Sequence, residues 1–244
     1  MPREFGLIGR SLRHSFSPTY FQQKFDQLEL QDCSYEAFEL AHIQELPSLL
    51  ARRPHLVGLN VTIPYKELVL PYLDEVAPSA ARVGAVNVIE VKDNGMLIGH
   101  NTDYSGFRDS LRRQYRGAGP ALILGTGGGA KAVEAALHEL GIRYWLVSRD
   151  AMGRGLTYAD LTPQVLQEHP LIINTTPLGM YPRTDEYPAL PYEALTPQHH
   201  LFDLIYNPSE TEFLRLGREA GASTQNGFDM LCRQAEDAWK IWNR

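Results

Sequence analysis

Four of the five residues at positions 125–129 are glycines, and they directly follow the apolar segment Ala121–Leu124. Helical periodicity follows over residues 130–140, so the segment Gly125-Thr126-Gly127-Gly128-Gly129-Ala130 has the G-x-G-x-x-G/A pattern between a predicted strand and a predicted helix. In that pattern the first glycine permits a tight turn, the second lets the backbone approach a pyrophosphate, and the small third residue lets helix and strand pack closely. The helix N-terminus adds N–H donors for phosphate. The sequence therefore predicts a dinucleotide site, with a glycine-rich structural turn as the alternative.

Short apolar runs alternate with amphipathic segments along the 244 residues, which predicts an α/β fold with a largely parallel sheet. This length allows two small domains. The predicted helices span residues 18–30, 43–52, 64–73, 103–115, 130–140, 210–219 and 228–242. The predicted strands span residues 5–8, 35–40, 56–63, 86–91, 96–99, 121–124, 144–147, 171–173 and 201–205.

Composition excludes several classes of partner. The formal net charge of −6 argues against nonspecific binding to nucleic acid or to anionic lipid. No segment approaches the ~20 apolar residues that a membrane span needs, and no apolar leader begins the chain. The two cysteines, Cys33 and Cys232, lie in no C-x-x-C spacing, and the eight histidines form no metal-binding motif. We expect a soluble cytoplasmic protein without a metal, a nucleic acid or a membrane as its partner.

The residue at the end of the strand after the glycine loop predicts which cofactor binds. NAD enzymes place an acidic residue there to hold the ribose 2′-hydroxyl. Here Arg149 follows Ser148, and a guanidinium suits a 2′-phosphate, which favours NADP. Arg154 lies near enough in sequence to help, whereas Asp150 would repel a phosphate or serve a 2′-hydroxyl. An ordinary surface charge at Arg149 is the alternative interpretation.

Polar residues near the N-terminus occupy positions that plain packing would not select. Ser15 and Ser17 flank Phe16, and two hydroxyls there suit a carboxylate; helix capping by Ser17 before a proline is the alternative. Asn60 and Thr62 point to one side of a predicted strand, by its period of two.

Two charged residues begin predicted helices. Lys66 lies on the first turn of the helix after the Asn60 strand, where a cation is disfavoured and a lysine can be tuned for proton transfer. A solvated surface lysine is the alternative. The strands at residues 86–91 and 96–99 form a predicted hairpin, because Asp93-Asn94-Gly95 between them is a turn signal. Asp103 begins the helix after this hairpin, either as a functional carboxylate or as the N-cap of the helix. Asn87 opens a strand of that hairpin.

Together these residues closely resemble the shikimate dehydrogenase family over essentially the whole chain. The motifs that carry the resemblance, in family order, are His14-Ser15-Phe16-Ser17-Pro18, Gly58-Leu59-Asn60-Val61-Thr62-Ile63-Pro64-Tyr65-Lys66, Gly84-Ala85-Val86-Asn87, Asn101-Thr102-Asp103, the glycine loop, Ser148-Arg149, Asn174-Thr175-Thr176-Pro177-Leu178-Gly179-Met180, Asp203-Leu204-Ile205-Tyr206-Asn207-Pro208 and Asn226-Gly227-Phe228-Asp229-Met230-Leu231-Cys232-Arg233-Gln234-Ala235.

The resemblance implies reversible NADP-dependent oxidation of shikimate to 3-dehydroshikimate, a step of aromatic amino acid biosynthesis. It implies that Lys66 and Asp103 form the catalytic pair and that Ser15 and Ser17 hold the substrate carboxylate. The residues implied to contact the ring hydroxyls or frame the pocket are Asn60, Thr62, Asn87, Tyr206 and Gln234. The residues implied to bind NADP or NADPH are Gly125, Thr126, Gly127, Gly128, Gly129, Ser148, Arg149, Arg154, Thr176, Leu204 and Gly227.

The resemblance also implies two domains with a cleft between them. We expect an N-terminal α/β substrate-binding domain at residues 1–103, joined by the C-terminal helix at residues 227–244, and a Rossmann-like NADP-binding domain at residues 104–226. The expected assembly is a monomer or a homodimer. Two alternatives stay open: a quinate/shikimate dehydrogenase with relaxed cofactor use, and a ligand-binding regulatory relative without activity. The intact pair of Lys66 and Asp103 favours turnover over the regulatory alternative.

Overall fold

Two six-stranded sheets form the framework of the chain, one in each of two units. Unit 1 comprises Met1–Thr102 and Ala235–Arg244, and unit 2 comprises Asp103–Gln234. The computed structural model describes residues 2–13, 15–150 and 155–244. Strands and helices alternate through both units, so the α/β prediction is confirmed.

The sheet of unit 1 is mixed, with the strand order β2-β1-β3-β5-β6-β4. β1 pairs in parallel with β2 and β3, β5 pairs antiparallel with β3 and β6, and β4 pairs in parallel with β6. These strands are β1 (Arg3–Gly9), β2 (Cys33–Glu39), β3 (Leu56–Val61), β4 (Glu75–Val76), β5 (Val88–Val91) and β6 (Leu97–His100). The helices of this unit are α1 (Ser17–Gln27), α2 (Leu46–Arg52), α3 (Tyr65–Leu68) and α4 (Pro78–Val83).

The sheet of unit 2 is parallel throughout, with the strand order β12-β11-β10-β7-β8-β9. Read from the other edge, this is the 3-2-1-4-5-6 order of a dinucleotide-binding fold. The strands are β7 (Ala121–Leu124), β8 (Tyr144–Ser148), β9 (Leu156–Thr157), β10 (Leu171–Asn174), β11 (His200–Asp203) and β12 (Ser223–Gln225). The helices are α5 (Asp103–Gln114), α6 (Gly128–Glu139), α7 (Pro163–Glu168) and α8 (Glu212–Glu219), and α9 (Phe228–Trp242) is shared between the units.

Helix α9 contributes to two apolar cores, whereas the resemblance implies that residues 227–244 belong to the N-terminal domain. Met230 belongs to the apolar core that covers one face of the unit 2 sheet. Ala235, Ala238 and Trp242 belong instead to an apolar core of unit 1 that also contains Phe5 of β1. The apolar stripe of one helix thus serves both cores, and the boundary between the units follows Gln234.

Two features are absent from the described residues. Every helix among them is too short or too polar to cross a membrane. Within the same part of the chain, no group of three His, Cys, Asp or Glu side chains is arranged to hold a metal ion.

Candidate functional site

The glycine loop lies at the carboxyl end of β7, in the middle of the parallel sheet of unit 2. β7 has β10 on one side and β8 on the other, so the chain order of the strands reverses at this point. Ligands of open α/β sheets bind outside the carboxyl ends of the strands at such a switch point. The predicted location of the dinucleotide loop therefore agrees with the topology.

The backbone of the loop leaves open space beside its middle glycines. Gly125 has a φ of +110°, a conformation that favours glycine, and a Cβ there would lie 2.7 Å from Oγ1 of Thr175. A Cβ on Gly127 or Gly128 would meet no atom within 4 Å. Ala130 is fully buried in the core beneath α6. The loop thus combines a tight turn, an open approach to the helix N-terminus and close packing behind it, as the sequence predicts.

Helix α6 starts two residues earlier than predicted. Gly127 is its N-cap, and Gly128 is its first residue. The first N–H groups of a helix have no partner within the helix, and here the 12-residue α6 presents them beside the open space of the loop. Phosphate oxygens are suitable acceptors for these donors.

Three further predicted cofactor residues lie on the loops after β10 and β11 and at the start of α9. The Thr176 hydroxyl donates to Oδ1 of Asn174 over 2.7 Å. A Cβ on Gly129 would lie 3.1 Å from Cδ2 of Leu204. A Cβ on Gly227 would overlap the carbonyl oxygen of Leu204 and lie 2.6 Å from its carbonyl carbon. The fold therefore brings Leu204 next to both glycines, and neither position has ample room for a larger residue.

Arg149 is exposed directly after β8, where the sequence predicts the 2′-phosphate contact. The Ser148 hydroxyl donates to the backbone carbonyl of Asp150, which orders the turn. The positive charge of Arg149 acts on Tyr158, whose pKa is nevertheless raised because the phenol is largely buried. Arg154, the other predicted phosphate contact, lies outside the described residues.

A buried carboxylate lies at the carboxyl end of β11, beside Leu204. Asp203 has no exposed surface, and it accepts hydrogen bonds from the Thr211 hydroxyl at 2.6 Å, from the Ile205 N–H at 3.0 Å and from the Asn174 amide at 3.1 Å. Burial nevertheless raises the pKa of Asp203 to about 6, against the lowering effect of these donors. This network ties the loop after β10, which carries Thr176, to the loop after β11.

In unit 1 the structure joins three predicted substrate residues into one buried polar network, formed by Ser17, Tyr35, Asn60, Asn87 and Thr102. The Tyr35 hydroxyl donates to Oδ1 of Asn60 over 2.7 Å and also forms a side-chain hydrogen bond with Ser17. Burial raises the pKa of Tyr35 well above its ordinary value, and the contact with Ser17 opposes this effect. The Asn60 amide donates to the Asn87 carbonyl over 3.3 Å.

Asn87 continues this network through its side chain. Its Oδ1 accepts from the Thr102 N–H at 2.7 Å, and its Nδ2 donates to the Thr102 hydroxyl at 3.0 Å. The neighbouring Asn101 amide donates to the Ala85 carbonyl over 2.9 Å. All three of these polar side chains are nearly fully buried. The two asparagines therefore fix the backbone that leads from β6 to the end of unit 1.

The helix cap predicted at Ser17 is wrong. The residue before it, Phe16, already has helical angles (φ −71°, ψ −37°) and is the N-cap, with no side-chain cap hydrogen bond. Ser17 is the first residue of α1, and its hydroxyl interacts with Tyr35. The capping alternative for Ser17 is thereby removed, because its side chain lies in the polar network.

The remaining predicted residues of unit 1 are all half-buried. Ser15 is half-buried, and its N–H donates to the Leu12 carbonyl over 3.0 Å. Thr62 is half-buried directly after β3, and Lys66 is half-buried in α3. Helix α3 has only four residues and continues as a 3₁₀ turn at Leu70–Tyr72, whereas the sequence predicted one helix over residues 64–73.

Three of the predicted catalytic and substrate residues belong to unit 2. Asp103 is the first residue of α5, and Tyr206 is half-buried in the loop after β11. Gln234 is nearly buried in α9, where its amide donates to the Leu231 carbonyl over 3.0 Å. A Cβ on Gly106 of α5 would lie 3.2 Å from the Gln234 Cβ, so this glycine allows the close approach of α5 and α9.

Tyr35, Asn174 and Asp203 are not among the site residues that the sequence predicts. Asn174 and Asp203 each end an apolar strand of a predicted parallel sheet, which is the position that usually carries functional groups. That signal could have identified both residues. Tyr35 lies in a strand that was predicted, but an alternating pattern gives no indication that a tyrosine hydroxyl will find polar partners.

Known proteins are similar to this chain in sequence and in structure. Residues 7–89 match the model of the shikimate dehydrogenase substrate binding domain. A shikimate dehydrogenase (NADP(+)) from Desulforamulus reducens is 37% identical over 97% of this chain and 88% of its own length. The crystal structure of shikimate 5-dehydrogenase from Thermus thermophilus, in complex with NADP(H) and shikimate, is 33% identical, with a TM-score of 0.87 over 98% of this chain and 93% of that chain.

Quinate dehydrogenase from Corynebacterium glutamicum, in complex with NAD, is also similar in structure. It is 28% identical, with a TM-score of 0.87 over 99% of this chain and 93% of that chain. The D. reducens relative exceeds one-third identity over nearly the full length of both proteins. Its similarity extends through both units, so the chain belongs to the shikimate dehydrogenase family.

Proposed function

We propose that this chain is an NADP-dependent dehydrogenase that interconverts shikimate and 3-dehydroshikimate. One observation carries the proposal: a single chain combines a parallel sheet whose glycine loop opens at the switch point with a buried amide and hydroxyl network in its other unit. The first feature suits a dinucleotide, and the second suits a small molecule with several hydroxyl groups. The full-length similarity to NADP-dependent shikimate dehydrogenases supports the same activity.

The glycine loop fits the pyrophosphate of NADP. The space beside Gly127 and Gly128 is open, and the first N–H groups of α6 are available there as donors to phosphate oxygens. Thr126, Thr176, Leu204 and Gly227 border the same edge of the sheet. When bound, NADP supplies the hydride chemistry, and the protein supplies binding and orientation.

Arg149 and Ser148 are proposed to recognise the 2′-phosphate. A guanidinium can bind a phosphate through two parallel hydrogen bonds, and the exposed Arg149 is available at the end of β8. Arg154 is proposed as a second contact on the basis of the sequence alone. NADP preference then depends chiefly on Arg149.

In unit 1 the proposed substrate contacts divide by chemistry. Ser15 and Ser17 donate hydroxyl protons to the carboxylate of shikimate, while Asn60, Thr62 and Asn87 bind ring hydroxyls. Amide groups suit hydroxyls because each amide offers both a donor and an acceptor. Tyr206 and Gln234 complete the proposed set from unit 2.

The reaction requires removal of a hydroxyl proton as the C–H bond of the same carbon breaks. Lys66 is proposed to accept that proton and, in the reverse direction, to donate it to the carbonyl oxygen. Asp103 is proposed to orient the ammonium group and the reacting hydroxyl. General acid–base help of this kind contributes about 10²–10⁴-fold in rate. No step of this scheme uses a metal ion.

An absorbance assay of the nicotinamide tests the proposal. Purified protein is mixed with shikimate or quinate, each with NADP or NAD. We expect reduction with shikimate and NADP, and Lys66→Ala should abolish turnover while shikimate still binds in a calorimetric titration. Activity only with quinate or NAD would replace this assignment by the quinate/shikimate alternative. Shikimate binding without turnover in any mixture would favour the regulatory alternative.

Two finer expectations belong to the same proposal. The enzyme is proposed to act in the cytoplasm, and its active form is proposed to be a monomer or a homodimer. Analytical ultracentrifugation at the assay concentration distinguishes the two assemblies.

A further inference from the structure

Tyr35 of β2 is a buried tyrosine whose hydroxyl contacts a proposed substrate residue. It donates to Oδ1 of Asn60 over 2.7 Å. Tyr35 is only 8% exposed, and Asn60 is even more deeply buried. The phenol proton therefore occupies an acceptor position of the side chain that is proposed to bind a ring hydroxyl.

The partners of this hydroxyl determine the direction of each hydrogen bond. The Asn60 amide must present Nδ2 to the Asn87 carbonyl, because a flipped amide would set two acceptors against each other. Oδ1 of Asn60 then faces Tyr35 and needs a donor, which the phenol proton supplies. Both donors point from Tyr35 toward Asn87, an arrangement in which neighbouring hydrogen bonds strengthen one another.

The ring of Tyr35 is held in place by aromatic packing. It stacks on the fully buried Phe21, with ring centroids 4.6 Å apart and an interplanar angle of 10°. Trp242 of α9 lies against it with centroids 6.5 Å apart. Because this packing restrains the ring, its hydroxyl provides a fixed reference point for the Asn60 side chain.

We propose that Tyr35 is a positioning residue for substrate recognition, which fixes the Asn60 amide in the orientation that binds a ring hydroxyl of a hydroxylated carboxylic acid. This inference rests on the proposed function, since it assumes that Asn60 contacts shikimate. Residues that orient a binding group through a hydrogen bond affect its function without touching the ligand. Tyr35 acts on binding alone, and the proton transfer assigned to Lys66 does not pass through it.

Tyr35→Phe is the test, because it keeps the ring and removes only the hydroxyl. We expect KM for shikimate to rise about tenfold, the effect of one lost hydrogen bond, with kcat changed less than about twofold. KM for NADP should stay at the wild-type value, because the glycine loop belongs to unit 2. This division between the two substrates separates positioning from general loss of structure.

Tyr65→Phe is the matched control. Tyr65 is also almost fully buried in unit 1, but its hydroxyl donates to the Leu40 backbone carbonyl at 2.5 Å. Both variants lose a buried hydroxyl and should lower the melting temperature to a similar extent. Only Tyr35→Phe should raise KM for shikimate. Equal KM values in Tyr35→Phe and in the wild type, or equal increases in both variants, would overturn the proposal.

A double-mutant cycle tests whether Tyr35 acts through Asn60. If it does, Tyr35→Phe added to Asn60→Ala should raise KM for shikimate by less than about twofold beyond the single Asn60→Ala variant. Fully multiplicative effects would refute this coupling. The wild type serves in the same assay: if it neither oxidises nor binds shikimate, the proposed function fails. If it is active and Tyr35→Phe matches it, only the present inference fails.

Discussion

Replacing Asp203 by asparagine should change how the stability of the protein depends on pH. Burial raises the pKa of Asp203 from an ordinary value of 3.8 to about 6. The folded state then holds the proton more tightly than the unfolded state. The bound proton therefore adds to the free energy of unfolding. This contribution is complete below the pKa of the unfolded state and is lost as the pH rises through about 6. The difference between the pKa values of the folded and unfolded states corresponds to about 3 kcal/mol of unfolding free energy.

Asparagine resembles the neutral acid in shape and cannot ionise. We therefore expect Asp203→Asn to gain about 2–3 kcal/mol of stability relative to the wild type between about pH 4 and pH 7.5. Urea denaturation followed by tryptophan fluorescence at several pH values measures this difference. Asp93→Asn, which removes an exposed carboxylate in the turn before β6, is the control.

Two results would contradict this reasoning. A stability difference that is constant with pH would mean that the carboxylate titrates alike in both states. A difference of opposite sign would mean that the three hydrogen-bond donors outweigh burial. Thr211→Val sharpens the test, because it removes the hydroxyl donor that lowers the pKa of Asp203. The wild-type transition near pH 6 should move to higher pH in that variant.

Three further changes test the cofactor unit. Gly127→Ala should leave the melting temperature nearly unchanged, because a Cβ meets no atom there, but it should raise KM for NADP at least about tenfold by blocking the pyrophosphate. Unchanged cofactor kinetics would exclude the loop as the phosphate site. Arg149→Ala should reduce the ratio of kcat/KM for NADP over NAD by about 10- to 100-fold, and a constant ratio would indicate another phosphate contact. Gly227→Ala should destabilise the fold by about 2–3 kcal/mol in urea, because its Cβ overlaps the Leu204 carbonyl; wild-type stability would show that this backbone shifts readily.

The parts of the fold that the sequence predicts well are those with an apolar pattern. The all-apolar β7 has the predicted bounds, and so does α9, whose periodic stripe reaches to Trp242. β12 is not predicted from the sequence, because its three residues, Ser223–Gln225, are polar. Pairing with β11 holds these residues in a strand. Helix α4 is not predicted either, since six residues give too little periodicity to recognise a helix.

The candidate site likewise has a part that the sequence predicts and a part that it does not. The glycine loop could be predicted because glycine spacing reports directly on backbone geometry, and the positive φ of Gly125 agrees. The contact between Tyr35 and Asn60 could not be predicted, because it joins β2 to β3 across β1. Such side-chain partners depend on strand order, which local sequence does not contain. The cap at Ser17 was wrong for the same reason, since its hydroxyl has a distant partner.

The short outer strands of the two sheets affect how the protein behaves at high concentration. Unpaired N–H and C=O groups along a sheet edge can pair with another molecule and start aggregation. The unit 2 sheet ends in β9 and β12, of two and three residues, and one edge of the unit 1 sheet is the two-residue β4. The longer edge strand, β2, carries the charged side chains of Glu36 and Glu39. Short edges and carboxylates of like charge therefore leave little template for edge-to-edge association of these sheets.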